Sequence, residues 1–218
     1  MLAKVFSCAV VGLEGTLVEI EVDVGSRNPG MVLVGLPDAA VQESRERVRS
    51  AIRNSGGKVP FGKITVNLAP ADLKKAGPTY DLPIALGILI SSNQLLTDVQ
   101  DALVVGELSL DGHVRHTPGI ISMLTMAANR GLRRAFVPEV DAREAALIEA
   151  VEVYPVRTLA DLVNHLSGDV PIQRIDADPA SFAAPDLSSL TDFADIRGQE
   201  HVKRGLEVAA AGAHNLIM

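Results

Sequence analysis

The spacing of apolar residues changes along the chain, and each change predicts a different kind of element. Residues 3–11 and 15–24 read as two strands around Gly12 and Gly15, the second alternating Leu17, Glu19 and Glu21 against Val18, Ile20 and Val22. Ser26–Gly30 is a turn signal, and Met31–Gly35 is a short buried strand. Pro37-Asp38 opens a helix whose Val41, Val48, Ala51 and Ile52 share one face, and Asn54–Gly57 stops it. Lys63–Leu68 predicts a strand, and a loop around Pro70 and Gly77-Pro78 follows. The next helix, Leu82–Leu95, is apolar nearly all round, which places it inside a core. Ala102–Leu110 and residues 113–115 predict a hairpin turning at Asp111-Gly112. A helix over 119–129, a strand over 134–138, a helix over 141–150, a strand over 151–154 and a helix over 158–166 complete the run. Strands paired first by hairpins and then alternating with helices predict an α/β (α+β) sandwich with a mixed sheet.

After Gly168 the periodicity stops. Residues 169–190 hold Pro171, Pro179, Pro185 and scattered Asp and Ser, the texture of a linker. Order resumes over 191–218 with a helix from about Gln199 to Ala211. The predicted organisation is a domain over 1–168, a linker over 169–190 and the start of a second module over 191–218.

Composition narrows the function classes. The chain carries a net charge of −7, shared as −3 before and −4 after residue 168, so neither part is a basic nucleic-acid arm. The single cysteine, Cys8, excludes an internal disulfide and a cysteine-based zinc cage. The apolar start is broken by Lys4 and ends at Gly12, too short for a secretory signal core, and no run reaches the ~20 residues of a bilayer span. A cytoplasmic protein with a buried Cys8 is expected, with no membrane partner.

Two motif-like stretches fail on chemistry. Gly57–Ile64 nearly spells a phosphate loop, but Ile64 stands where a Mg²⁺-binding hydroxyl belongs, and the segment enters a strand rather than a helix. His113 and His116 flank a strand with no third ligand nearby in sequence, so no metal site is expected. Neither H-E-x-x-H nor G-x-S-x-G occurs.

Two longer stretches carry a resemblance. Val66–Ala85, with Gly77-Pro78-Thr79-Tyr80-Asp81 at its centre, then Gly106–Gly112 and Pro118-Gly119, resembles the C-terminal domain of Lon proteases, a ribosomal S5 domain 2-like fold. That resemblance implies a Ser/Lys dyad, in which lysine takes the serine proton. Here Thr79 occupies the serine position and Ser122 the lysine position, so the expected catalytic set is none: a Lon-like scaffold without Lon chemistry. Lys74 and Lys75, on the same loop, are expected to be solvated. The second stretch, Phe193–Met218, resembles the opening of a magnesium-chelatase-like AAA+ ATPase module. It implies that Ile196 and Gly198 lie on the adenine side of a nucleotide site in an intact protein.

In this order the parts resemble the YifB/ComM family. The resemblance implies a non-catalytic accessory and assembly domain in front of a truncated AAA+ start. The chain itself would carry no cofactor, because the glycine-rich loop would begin just beyond Met218. The intact protein would bind ATP and magnesium, form a hexamer with itself, and act on DNA in branch migration. Two other readings stand beside this one: a peptidase using Thr79, and a DNA-binding module using Lys58, Lys63, Lys74, Lys75, Arg130, Arg133 and Arg134. Magnesium insertion into a porphyrin is suggested by the family label alone.

Overall fold

The computed structural model describes residues 2–26, 28–177 and 191–217. The chain divides into two compact units, Met1–Asp178 and Pro179–Met218.

The first unit begins with the predicted hairpin. Strand β1 (Ala3–Val11) pairs antiparallel with β2 (Glu14–Val24), in register from Ala3↔Val22 to Val11↔Glu14. Strands β3 (Gly30–Val34) and β4 (Lys63–Ala69) pair in parallel, joined by helix α1 (Ala39–Asn54). Helix α2 (Asp81–Ser91) follows a single 3₁₀ turn over Pro78–Tyr80. Then come β5 (Ala102–Val104), a small hairpin of β6 (Glu107–Leu108) and β7 (Val114–Arg115), and α3 (Ile120–Asn129). Strand β8 (Arg134–Pro138), the short α4 (Ala142–Ala145), β9 (Glu152–Val156) and α5 (Leu159–Ser167) finish the unit. One mixed sheet runs β3-β4-β2-β1-β5-β8-β9, and parallel pairings outnumber antiparallel ones.

Burial explains the layers. The predicted alternation in β2 places Val18, Ile20 and Val22 in a core with the inner face of α1 and the whole of α2. Helix α2 comes close to the sheet because Gly87 has no side chain; a Cβ there would lie 2.6 Å from Val22 Cγ2. A second core, on α3 and α4, collects Cys8, Leu103, Val105, Met123, Leu124, Ala135 and Val137. Strands β5 and β8 therefore supply side chains to both cores, as parallel strands with two covered faces require.

Three expectations need correction. The predicted strand through Leu110 is cut at Gly106. Its φ is 157°, and a Cβ there would lie 2.6 Å from Val114 Cγ1, so only glycine lets the chain bend from β5 into the separate β6. The helix expected over 141–150 shrinks to a 3₁₀ turn at Glu139–Asp141 and the single turn of α4. Lys75 is not solvated: its side chain is completely buried, and Nζ donates to the Pro70 carbonyl. Residues 169–177 also pack on this unit, with the Ile175 amide donating to the Val153 carbonyl at 2.9 Å. The rest of the expected linker, 178–190, lies outside the described residues.

In the second unit a 3₁₀ turn at Phe193–Asp195 carries a reciprocal cap between Asp192 and Asp195, and α6 spans Glu200–Ala211. No residue of α6 is buried. Among the described residues no helix is long and apolar enough to cross a membrane.

Candidate functional site

Thr79 is held in place from three directions. Asp38 caps α1, accepting from the Val41 amide at 2.8 Å, while its other oxygen accepts from the Gly77 amide at 3.2 Å. The Thr79 carbonyl accepts from the Gly106 amide at 2.9 Å, and the Gly106 carbonyl accepts from the Leu82 amide at 3.0 Å. Asp81, with no exposed surface, accepts from Arg47 Nε at 2.6 Å, from the Leu108 amide at 3.2 Å and from the Ser44 hydroxyl. Burial pushes the Asp81 carboxyl above the usual carboxylate range, against the pull of Arg47, and the Asp81 carboxylate raises the guanidinium in turn. The turn after Gly77 is thus tied to α1 and to β6.

Thr79, itself 8% exposed, lines a pocket of about 270 Å³ with Cys8, Val10, Glu107, His116, Thr117 and Met123. Burial pushes the Cys8 thiol up to about 12, so it is a neutral thiol at ordinary pH and no nucleophile. His116 is positioned from outside the pocket: its Nδ1 lies 2.5 Å from Asp141 Oδ1, and Asp141 Oδ2 accepts from the Thr117 amide at 2.8 Å. A carboxylate partner at Nδ1 fixes the orientation of the imidazole ring. The Thr117 hydroxyl is buried and has no hydrogen-bond partner.

The structure does not bring Ser122 into this pocket. Ser122 lines a separate depression with Leu13, Glu14 and Thr125, and its Oγ donates to the Leu13 carbonyl at 2.7 Å. Sequence spacing alone could not place His116 on the same pocket as Thr79. The residues are far apart in the chain, and the ring's anchor, Asp141, comes from a third segment. Among the described residues no group of three His, Cys, Asp or Glu could hold a metal ion.

The predicted basic set is not equivalent in space. Lys75 is buried, and Arg134 is engaged by Asp101, with Nε 3.1 Å from each carboxylate oxygen and the guanidinium over the Phe136 ring. In the second unit Ile196 is 39% exposed, and its carbonyl accepts from Lys203 Nζ at 2.6 Å. Gly198 has a φ of 73°, the left-handed conformation that favours glycine.

Comparison with known proteins matches both parts of the chain. The family described as subunit ChlI of Mg-chelatase covers residues 20–141, and that described as magnesium chelatase, subunit ChlI, covers 192–218. The chain is 42% identical to the competence protein ComM of Haemophilus influenzae over 99% of its length and 43% of that protein's. It is 43% identical to YifB of Salmonella typhimurium over 100% of its length and 42% of that protein's. It is 25% identical to the Lon protease of Mycolicibacterium smegmatis over 71% of its length and 21% of that protein's. The chain therefore spans about two fifths of the ComM and YifB relatives it matches.

Proposed function

This chain belongs to the YifB/ComM branch of the magnesium-chelatase subunit ChlI family, and on that premise we propose that it is the non-catalytic accessory and assembly part of a magnesium-chelatase-like AAA+ ATPase. The observation that carries this reading is the order of the two matches, a Lon-like unit first and the start of a chelatase-type module second. In the proposal the longer protein binds and hydrolyses ATP with magnesium, assembles as a hexameric ring in the cytoplasm and works on DNA, with branch migration as its activity. Ile196 lies on the adenine side, where a half-exposed branched side chain gives an apolar surface for a ring face, and Gly198 lets the backbone approach closely.

Residues 1–218 contain no G-x-x-x-x-G-K-[ST] segment, and phosphoryl transfer needs that anion cradle with its lysine and metal. The test compares ATP turnover by the purified 218-residue chain and by a full-length relative such as ComM, with and without branched DNA. Turnover confined to the longer protein and stimulated by DNA supports the reading. Turnover by the 218 residues refutes the non-catalytic assignment, and a full-length ATPase indifferent to DNA refutes the DNA assignment.

A further inference from the structure

Residues 169–177 leave α5 and pass over the outer strand β9 as a strap, fastened at few points. The Asp169 and Val170 amides donate to the Asn164 carbonyl at 2.9 and 3.2 Å, and the Ile175 amide donates to the Val153 carbonyl. Ile172 packs against the first core and Ile175 against the second. Arg174 reaches Glu152 and Asp176 at 3.6 and 3.4 Å, exposed pairs that hold little. One fastening is of another kind: the Ile172 amide donates to His165 Nδ1 at 2.9 Å. A backbone N–H is always the donor, so Nδ1 offers its lone pair and the ring proton sits on Nε2. The protonated ring carries hydrogen on both nitrogens and would set two donors against each other across that distance. A half-turn of the ring would put a C–H there instead, so the Ile172 amide loses its acceptor either way.

The surroundings of the half-buried ring decide when this happens. Phe136 and Tyr154 pack on it, with centroids 5.6 and 5.1 Å away. From β8, Arg134 lies over Phe136. From β9, Glu152 accepts from the Tyr154 hydroxyl at 3.1 Å and also pairs with Arg174 of the strap. On α5 itself Asp161 pairs with Arg157 at 3.6 Å. Burial and the Arg134 charge hold the imidazole below the ordinary histidine range, although its place in the last turn of α5 favours the cation. The grip on Ile172 is therefore complete above the ordinary value of 6.5 and is lost as pH falls below it.

We propose that His165 is a pH-operated clasp: neutral, it holds the strap on the first unit through the Ile172 amide, and protonated, it lets residues 170–177 go. Once open, those residues add up to about 25 Å of chain, at roughly 3.3 Å per residue, to the segment that leads into the second unit. The clasp lies wholly in the first unit and is independent of the ATPase reading. The test follows amide hydrogen exchange of the 218-residue chain by NMR from about pH 7.5 to about pH 5, corrected for the intrinsic rate at each pH. Protection at Ile172 and Ile175 should fall about fivefold, the weight of one net hydrogen bond. The fall should track the His165 ring titration, while the Gly106 amide stays protected. His165→Asn should abolish the fall, because its side-chain oxygen stands as many bonds from Cβ as Nδ1 does and does not titrate. The ring titration of the unaltered chain needs no variant, so it remains informative if His165→Asn destabilises the fold. Constant protection at Ile172, a loss that does not follow the ring, or the same loss in His165→Asn overturns the proposal. Loss at Ile172 with Ile175 still protected overturns it as well, since the strap would then stay in place.

Discussion

Asp81 and Asp141 are two buried carboxylates in one domain, and their surroundings differ in what they achieve. Around Asp81 every partner belongs to the scaffold: Arg47 and Ser44 from α1, and the Leu108 amide from β6. Around Asp141 one partner is the Thr117 amide and the other is an exposed imidazole on the rim of a pocket. A buried charge needs partners in either case. Partners that are themselves fixed fasten helices together, whereas a partner that faces solvent becomes a positioned functional group. The sequence position of an acid does not distinguish the two outcomes.

The largest expected effect tests the scaffold side. Asp81→Ala leaves Arg47 and the Leu108 amide without their carboxylate and should lower the unfolding free energy by about 3–5 kcal/mol in urea denaturation. A loss under about 1 kcal/mol would mean that Asp81 fastens nothing. Asp141→Ala should cost less, about 1–3 kcal/mol, because one of its two partners is exposed. It should also release the His116 ring from its fixed orientation, which ring-nitrogen NMR reads directly; an unchanged ring spectrum would break the comparison.

Cys8 sharpens it as a buried ionisable group that stays neutral instead of gaining a counter-ion. Its folded pKa, about 12, lies above the ordinary thiol value of 9.0, so the unfolded chain gives up the proton first. Its stabilising contribution is complete below pH 9 and is lost as pH rises from there toward 12. Between pH 9.5 and 10.5 the protein should lose about 1 kcal/mol more stability than Cys8→Ala, and parallel curves for the two would show the thiol to be solvated. The smallest effect belongs to Ser122, whose hydroxyl donates to an exposed loop carbonyl. Ser122→Ala should change stability by less than about 1 kcal/mol and should not disturb the Thr79 pocket; a larger loss would make the Leu13 contact a structural tie.

Much of the first unit is legible in its periodicity. The alternation of β2, the one-faced pattern of α1 and the all-apolar α2 each have one low-energy burial, and the structure adopts it. The failures share a cause. Gly106 looks like any glycine in a strand until Val114 and the Thr79 carbonyl are brought beside it. Lys75 reads as a solvated lysine because nothing near it in sequence announces the Pro70 carbonyl that receives its ammonium.

The sequence alone determined the order of most elements of the first unit, since this follows from local pattern. The tertiary structure decided that Thr79 and His116 line one pocket, that Asp141 orients the ring and that Ser122 lines another depression. These are contacts between residues from distant segments, set by how parallel strands and their crossover helices stack, and no local propensity encodes them.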